Sequence, residues 1–181
     1  MPIIKVDQVQ TTASKKILGT TGSVINIVQN QITTPWYGHS PGSSYILVPP
    51  LTCSIKPTNT SNKILVNFKF YGGSTGSWDR LEYLLYINGS ASSFLGDASS
   101  SAGRATGKWF YPGNANDGPT QAMGLVYLHS PGSTSVQTYD IYIRDGNADG
   151  ASFSLNRGRA STGSEQESNC ASSVTLMEIS A

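Results

Sequence analysis

The chain has 181 residues, with 12 Lys and Arg against 11 Asp and Glu and a net charge of +1. That balance gives no electrostatic basis for binding nucleic acid or an anionic membrane, and no apolar run reaches the ~18 residues of a membrane-spanning helix. Only 13% of residues are charged, low for an ordinary cytosolic enzyme, while Ser, Thr, Gly and Asn abound, as in strands joined by tight turns.

Residues 1–22 differ from the rest of the chain. Ile3, Ile4 and Val6 form one small apolar group and Ile17 with Leu18 another, around a polar run and ahead of Gly19-Thr-Thr-Gly22. So few large apolar residues cannot bury enough surface to fold alone. The segment reads as an extended attachment arm that borrows a surface from its own domain, a sister subunit or another protein. Ile3, Ile4, Val6, Ile17 and Leu18 are its anchors. It has neither the long apolar core nor the cleavage site of a signal peptide, so the chain is expected to fold in the cytoplasm where it is made.

Strand patterns begin at residue 23. Residues 23–30 alternate Val24, Asn26 and Val28 against Ile25 and Ile27. A loop over 33–44 carries Trp36 and Tyr37. Residues 45–51 and 52–56 are separated by Pro49-Pro50, which interrupts central pairing. Turn formers fill 57–62. In residues 63–71, Ile64, Val66, Phe68 and Phe70 alternate with Lys63, Leu65, Asn67 and Lys69, the period-two signature of a half-buried strand. Residues 72–77 form a Gly-rich loop without the Lys or helix that cradles phosphate. Residues 80–88 put Leu81, Tyr83, Leu85 and Ile87 on one face and end in Asn88-Gly89, a hairpin signal.

Residues 89–108 read as a long loop with at most a short edge strand. Residues 108–111, 121–129, 134–144, 151–156 and 172–180 complete eight to ten strands. Within 134–144, Tyr139, Ile141 and Ile143 share a face. The count predicts an all-β fold, an antiparallel two-sheet jelly-roll-like sandwich over 23–181 with essentially no helix. Its expected core is Ile64, Val66, Phe68, Phe70, Leu81, Tyr83, Leu85, Tyr139, Ile141, Ile143 and Leu176. Leu65, Leu84 and Tyr86 fall on the opposite faces, and a row of such residues across strands points to a subunit contact. His-Ser-Pro-Gly-Ser occurs at 39–43 and 129–133 with unlike flanks, so it marks two similar turns.

Nothing in the chain looks catalytic. Its two histidines, His39 and His129, lack neighbours that would make a triad or a metal site, and no Gly-x-Ser-x-Gly, P-loop or dinucleotide fingerprint occurs. Asp145, Asn147 and Asp149 place oxygens at alternate positions like the first half of a calcium loop. The same run is also ordinary hairpin-turn chemistry, and Asn156 stands where such a loop needs a Glu. Trp36, Tyr37, Trp78, Trp109 and Tyr111 lie near predicted loops and offer flat faces for a glycan. Asp79, Asp97, Asn114, Asn116 and Asp117 stand near enough in sequence to edge them. Such aromatics equally pack over sandwich ends or between subunits. Cys53 and Cys170 are read as reduced thiols in preference to a disulfide.

Four segments taken in order, 22–29, 55–66, Leu155-Asn-Arg157 and 173–180, resemble bacteriophage tail-fibre-like and other virion appendage β-sandwich domains of a kind frequent in marine phages. Residues 5–10 resemble phrases that precede such domains in longer fibres. The resemblance implies a jelly-roll-like sandwich that assembles as a homotrimer. It implies a non-enzymatic virion protein attached to other virion proteins through residues 1–22. The 181 residues include no long repetitive shaft, so knob, capsid decoration and adaptor stand beside fibre. The alternative is a receptor-binding protein for a host-surface glycan on the same scaffold, and a glycan-cleaving enzyme is the third and weakest class.

Overall fold

A computed structural model describes residues 21–74, 80–97, 103–110, 120–146, 150, 152–158 and 169–181. The strands are β1 (Val24–Ile32), β2 (Trp36–His39), β3 (Ile46–Leu47), β4 (Cys53–Ile55), β5 (Lys63–Ser74) and β6 (Arg80–Ile87). They continue with β7 (Ser90–Ala91), β8 (Gly107–Phe110), β9 (Gln121–His129), β10 (Gln137–Asp145), β11 (Phe153–Leu155) and β12 (Ser172–Ile179). Between β3 and β4, Pro49–Leu51 makes a 3-10 turn, as the proline pair leads one to expect. Among the described residues no helix is long and apolar enough to cross a membrane.

The strands form two packed antiparallel sheets. In the first, β1 and β2 follow each other along one edge, β12 and β11 lie beside them, β5 comes next and β9 closes the far side. The second runs β3 and β4, then β10, β6, and β7 with β8. The chain crosses between layers after β2, β4, β5, β8, β9 and β10, which is jelly-roll connectivity.

The sequence periodicity explains the layers. Ile64, Val66, Phe68 and Phe70 of β5 are buried against Leu81, Tyr83 and Leu85 of β6 and Tyr139, Ile141 and Ile143 of β10, with Val174 and Leu176 of β12 beside them. Every expected core residue is buried. The core also takes Val48, Leu51, Ile55, Phe153, Leu155 and Trp109. Cys53 and Cys170 are both reduced thiols. Three local expectations change. Leu84, read with Leu65 as an outward apolar residue, is only 6% exposed and offers little surface to a second subunit. Residues 36–39 are strand rather than loop, because β11 pairs with them. The Gly-rich stretch begins inside β5, where Gly72 and Gly73 pair with Leu155 and Ser154 of β11.

Turn chemistry sets the corners. Asn88 and Gly89 have φ of +52° and +78°, values that a two-residue hairpin between twisted strands needs. Asn88 also accepts the Thr138 amide at 2.9 Å and donates to Gln137 at 2.8 Å. Gly42 and Gly132 of the repeated His-Ser-Pro-Gly-Ser share φ near +60° (+58° and +62°), so the two turns are alike in backbone as in sequence.

Two buried polar residues fasten the first sheet. Glu178 of β12 is 0% exposed. Its Oε1 accepts from the Thr58 amide at 2.6 Å, the Thr58 hydroxyl at 2.8 Å and the Asn62 amide group at 2.7 Å. That ties the 57–62 turn to the last strand. Asn156, with φ of +60°, donates to the Ile32 carbonyl at 2.7 Å and accepts the Ser172 hydroxyl at 2.5 Å. Its backbone bonds Tyr71 and Cys170. Asn156 is therefore committed to holding the ends of β1, β5, β11 and β12 together.

Candidate functional site

The outer face of the first sheet holds the most distinctive surface. The ladder registers place Ile27 opposite Met177, Met177 opposite Leu65, and Leu65 opposite Leu128. One apolar row thus crosses all four strands, from β1 through β12 and β5 to β9. Ile27 is 58% exposed and Leu128 48%, and Val126, one row up, is 61%. Val24, Ile25 and half-buried Ile179 extend the surface at the end where β1 begins. Scattered exposed apolar residues are ordinary, but a continuous row across four strands is a candidate contact surface.

The two flanking edges reinforce this. β1 (VINIVQNQI) and β9 (QAMGLVYLH) are nine residues each and contain no Asp, Glu, Lys, Arg or Pro. Among the described residues no further strand pairs beyond either. Natural edges are normally blunted by charge, proline, bulges or brevity. β1 has one irregularity, between Val24 and Asn26; the β9 register has none.

Above the apolar row the same face turns polar. Gln29, Gln31, Thr33, Lys69, Ala171, Ser172 and Ser173 line a shallow groove of about 290 Å³. Lys69 leans over the Tyr71 ring at 5.6 Å.

The second sheet turns outward groups that already satisfy one another. Glu82 accepts from Arg144 Nη2 at 2.6 Å and Nε at 2.8 Å, and from Lys108 at 3.3 Å. Burial pushes the Glu82 carboxyl up, but the two cations outweigh it and hold it below the ordinary glutamate range. Arg144 lies over the Tyr45 ring at 4.8 Å, and burial pushes the Tyr45 phenol up to about 12. Tyr86 and Tyr142 stack at 3.9 Å, and Thr52 donates to Asp140 at 2.7 Å. His129 faces the sandwich interior, shares a 2.8 Å hydrogen bond with the Tyr139 hydroxyl, and is kept below its usual pKa by burial.

The residues singled out from sequence fare unequally. Trp109 sits on β8 opposite Leu81 and is 4% exposed. It belongs to the core and presents no face to a ligand, which corrects its assignment to a loop surface. Trp36 is half-buried, stacked on His39 at 3.7 Å and packed against Phe153. Tyr37 is 52% exposed, with Arg157 over its ring at 5.4 Å. Asp145 is buried and accepts the Gly150 amide at 3.1 Å. Trp78, Tyr111, Asn147 and Asp149 lie outside the described residues, as do Ile3, Ile4, Val6, Ile17 and Leu18. Among the described residues, no cluster of three or more His, Cys, Asp or Glu could hold a metal ion. The chain enters the sheet where the Gly22 amide donates to Ser180 at 2.8 Å, at the Val24 and Ile179 end of the apolar surface.

Sequence reasoning flagged Leu65 but not its row. The signal available was β1, which carries apolar residues on both faces. No model of a known protein family matches this chain, and no curated protein matches it in sequence.

Proposed function

We propose that this chain is a non-enzymatic structural protein of a bacteriophage virion, a fibre, knob, decoration or adaptor subunit. It assembles as a homotrimer through the outer face of its first sheet and is anchored to other virion proteins by residues 1–22. The observation that carries this reading is the apolar row Ile27, Met177, Leu65 and Leu128 between two uncharged edges. A face of that kind is costly to leave in water, and covering it with identical copies removes the cost symmetrically. The polar groups of the opposite face and of the turns are engaged with one another, which supports a scaffold role. The resemblance of four ordered segments to virion appendage domains supplies the setting.

Light scattering on the purified chain tests the assembly, with three times 19.2 kDa expected. A stable 19.2 kDa species at micromolar concentration overturns it. Antibody labelling of purified virions tests the location. Tyr37, exposed beside Arg157 on the same sheet as the polar groove, favours a second reading, binding of a host-surface glycan. Blocking of phage adsorption by the isolated protein, lost in Tyr37→Ala, is the result expected of that reading.

A further inference from the structure

β9 closes the far side of the first sheet, and one of its fastenings can take a proton. Its ladder runs along one edge only, to β5, and among the described residues no strand pairs with the other edge. Among the same residues two side-chain bonds join it to the second sheet. Near its start the Tyr83 hydroxyl of β6 donates to the Gly124 carbonyl at 2.9 Å. At its last residue His129 Nδ1 meets the Tyr139 hydroxyl of β10 at 2.8 Å. A backbone carbonyl does not titrate near neutral pH, whereas an imidazole does. The two ends of β9 are therefore fastened by unlike chemistry.

The partner fixes the protonation state of the ring. Tyr139 is 0% exposed, and His129 Nδ1 is the one hydrogen-bond partner of its hydroxyl among the described residues. A phenol proton buried without an acceptor is unfavourable, so the hydroxyl donates and Nδ1 accepts. That requires the neutral imidazole, with its proton on Nε2. A second proton, added at Nδ1, turns the bond round and leaves the phenol proton with no acceptor. The surroundings are aromatic as well. The ring stands edge-on to Tyr139 at 5.8 Å and beside Tyr127 at 6.1 Å, and Tyr127 stacks on Phe94 at 4.7 Å.

No carboxylate stands ready to receive the imidazolium. On β9 the other inward titratable group is Tyr127. On β10 it is Tyr139, flanked in register by the Cys53 thiol of β4 and by Ile87 of β6, while Asp140 turns to the other face and accepts from Thr52. Neither the 92–95 segment nor the 130–136 turn carries a charged residue. On β5 His129 is opposite Ile64, and Ile64 is opposite Glu178 of β12. Glu178 thus lies two strands away, about 10 Å by strand spacing, and already takes three hydrogen bonds from Thr58 and Asn62. Lys63 of β5 is exposed on the outer face. Burial acts on the ring and holds its pKa below the usual 6.5. A folded-state pKa below the unfolded one gives stability that is complete above about pH 6.5 and lost as the pH falls toward the folded value. Glu178 titrates below the ordinary 4.5, so the two acid effects fall in separate windows.

We propose that His129 and Tyr139 form a proton-operated clasp, in which the neutral imidazole holds the end of β9 against the second sheet and mild acid frees that end while Tyr83 keeps the start of the strand in place. Release moves Val126 and Leu128, the exposed apolar residues of this strand, whatever covers them, so the clasp stands apart from the assembly reading. The test is amide hydrogen exchange on the full chain at pH 7.5 and 5.0, corrected for intrinsic rates and read by mass spectrometry. Residues 126–129 should exchange about tenfold faster at pH 5.0, the scale of one unpaired buried hydroxyl, with 121–124 and β12 unchanged. His129→Gln, whose amide oxygen can accept the phenol proton without titrating, should show no acid effect. Equal protection at both pH values, a uniform loss over both ends of β9 and β12, or an acid effect that survives in His129→Gln overturns the clasp. Should His129→Gln not fold, imidazole nitrogen NMR on His39→Gln decides, since that variant leaves His129 as the sole histidine. A proton on Nε2 at pH 7.5 and titration below 6.5 are expected. A proton on Nδ1, or titration at or above 6.5, overturns the proposal.

Discussion

The first sheet is bounded by β1 and β9, nine residues each and uncharged, and turns Ile27, Leu65, Met177 and Leu128 outward in one row. The second is bounded by β3, β4, β7 and β8, of two to four residues, and turns outward Glu82, Arg144, Lys108 and a tyrosine pair that already bond or stack. Both sheets bury one shared core, so the difference is not a matter of folding. Short edges and self-satisfied charge are what a sheet needs to stay alone in water. Long bare edges and an apolar face are tolerable only if another surface arrives. On the proposed reading, assembly belongs to the first sheet and the second is the solvent-facing wall.

The sharpest way to break this comparison is to put carboxylates on each face in turn. Ile27→Asp/Leu128→Asp removes two apolar side chains worth roughly 1.5–3 kcal/mol each when fully buried, so self-association should weaken at least a hundredfold and light scattering should find 19.2 kDa. Ser54→Asp on the second sheet, which loses only a 2.8 Å exposed bond to Thr138, should leave the mass unchanged. Equal behaviour of the two variants ends the distinction between the faces.

A smaller effect separates the sheets by what fastens them. Glu178→Ala leaves the buried Asn62 side chain without its carboxylate partner and releases the amide and hydroxyl of exposed Thr58, a loss of about 2–3 kcal/mol at 1–3 kcal/mol for a buried unpaired group. Denaturant melts should show it, and Asn62→Ala should cost less. Acid should act on the same place. Burial raises the Glu178 pKa, but the bonds from Asn62 and Thr58 prevail and leave it below the ordinary 4.5. A folded-state pKa below the unfolded one stabilises the protein above about pH 4.5, and that stability is lost as the pH falls through the lower value. Glu178→Gln should therefore flatten part of the acid limb of a stability profile taken from pH 6 to 3. An unchanged profile shows that Glu178 does not titrate with folding.

Smaller again is the ion-pair cluster of the second sheet. Arg144→Ala leaves the buried Glu82 without its nearer cation, and about 2 kcal/mol is expected, less than for a fully buried pair because Arg144 is partly exposed. Lys108→Ala removes a cation whose side chain is 48% exposed and should cost at most about 0.5 kcal/mol. Neither should change the native mass. If Arg144→Ala dissociates the assembly, the second sheet takes part in it.

Much of the fold was legible because its middle strands repeat with period two around one apolar face. β5, β6, β10 and β12 announce themselves this way, and so does the list of core residues. β2, β3 and β7 do not, because two to four residues show no period and exist only through their partners. β1 alternates visibly, but its sense is hidden. Asn30 turns inward, where its side chain donates to the Pro50 and Thr52 carbonyls at 3.1 and 3.3 Å, while Ile27 turns out. Glu178 and Asn156 break the apolar-inside rule for the same reason, with side-chain partners 116 and 124 residues away. The apolar row was legible one residue at a time, in Leu65 among its lysines. Seeing it as a row required the register of three ladders, which no single strand encodes.

The smallest expected effect on the fold concerns the arm, and it sharpens the claim that a second copy covers the first sheet. The earliest described bonds of the chain run from the Gly22 amide to Ser180 and from Ser180 to Ser23, where the β1 ladder begins. Deleting residues 2–20 should then shift stability by no more than about 0.5 kcal/mol, the usual range for changes away from packed features. The trimer mass should also persist, because none of the deleted residues belongs to the row. What should disappear is incorporation into particles. Ile3, Ile4, Val6, Ile17 and Leu18 are too few for a core, but several apolar anchors displayed on three joined subunits bind a common surface with avidity. A truncated protein that melts lower places the arm in the domain's core. One that aggregates or changes mass identifies the arm, not a neighbouring copy, as the cover of Ile27 and Leu128. One that still enters virions removes the arm as the anchor and leaves the sandwich itself to make the attachment.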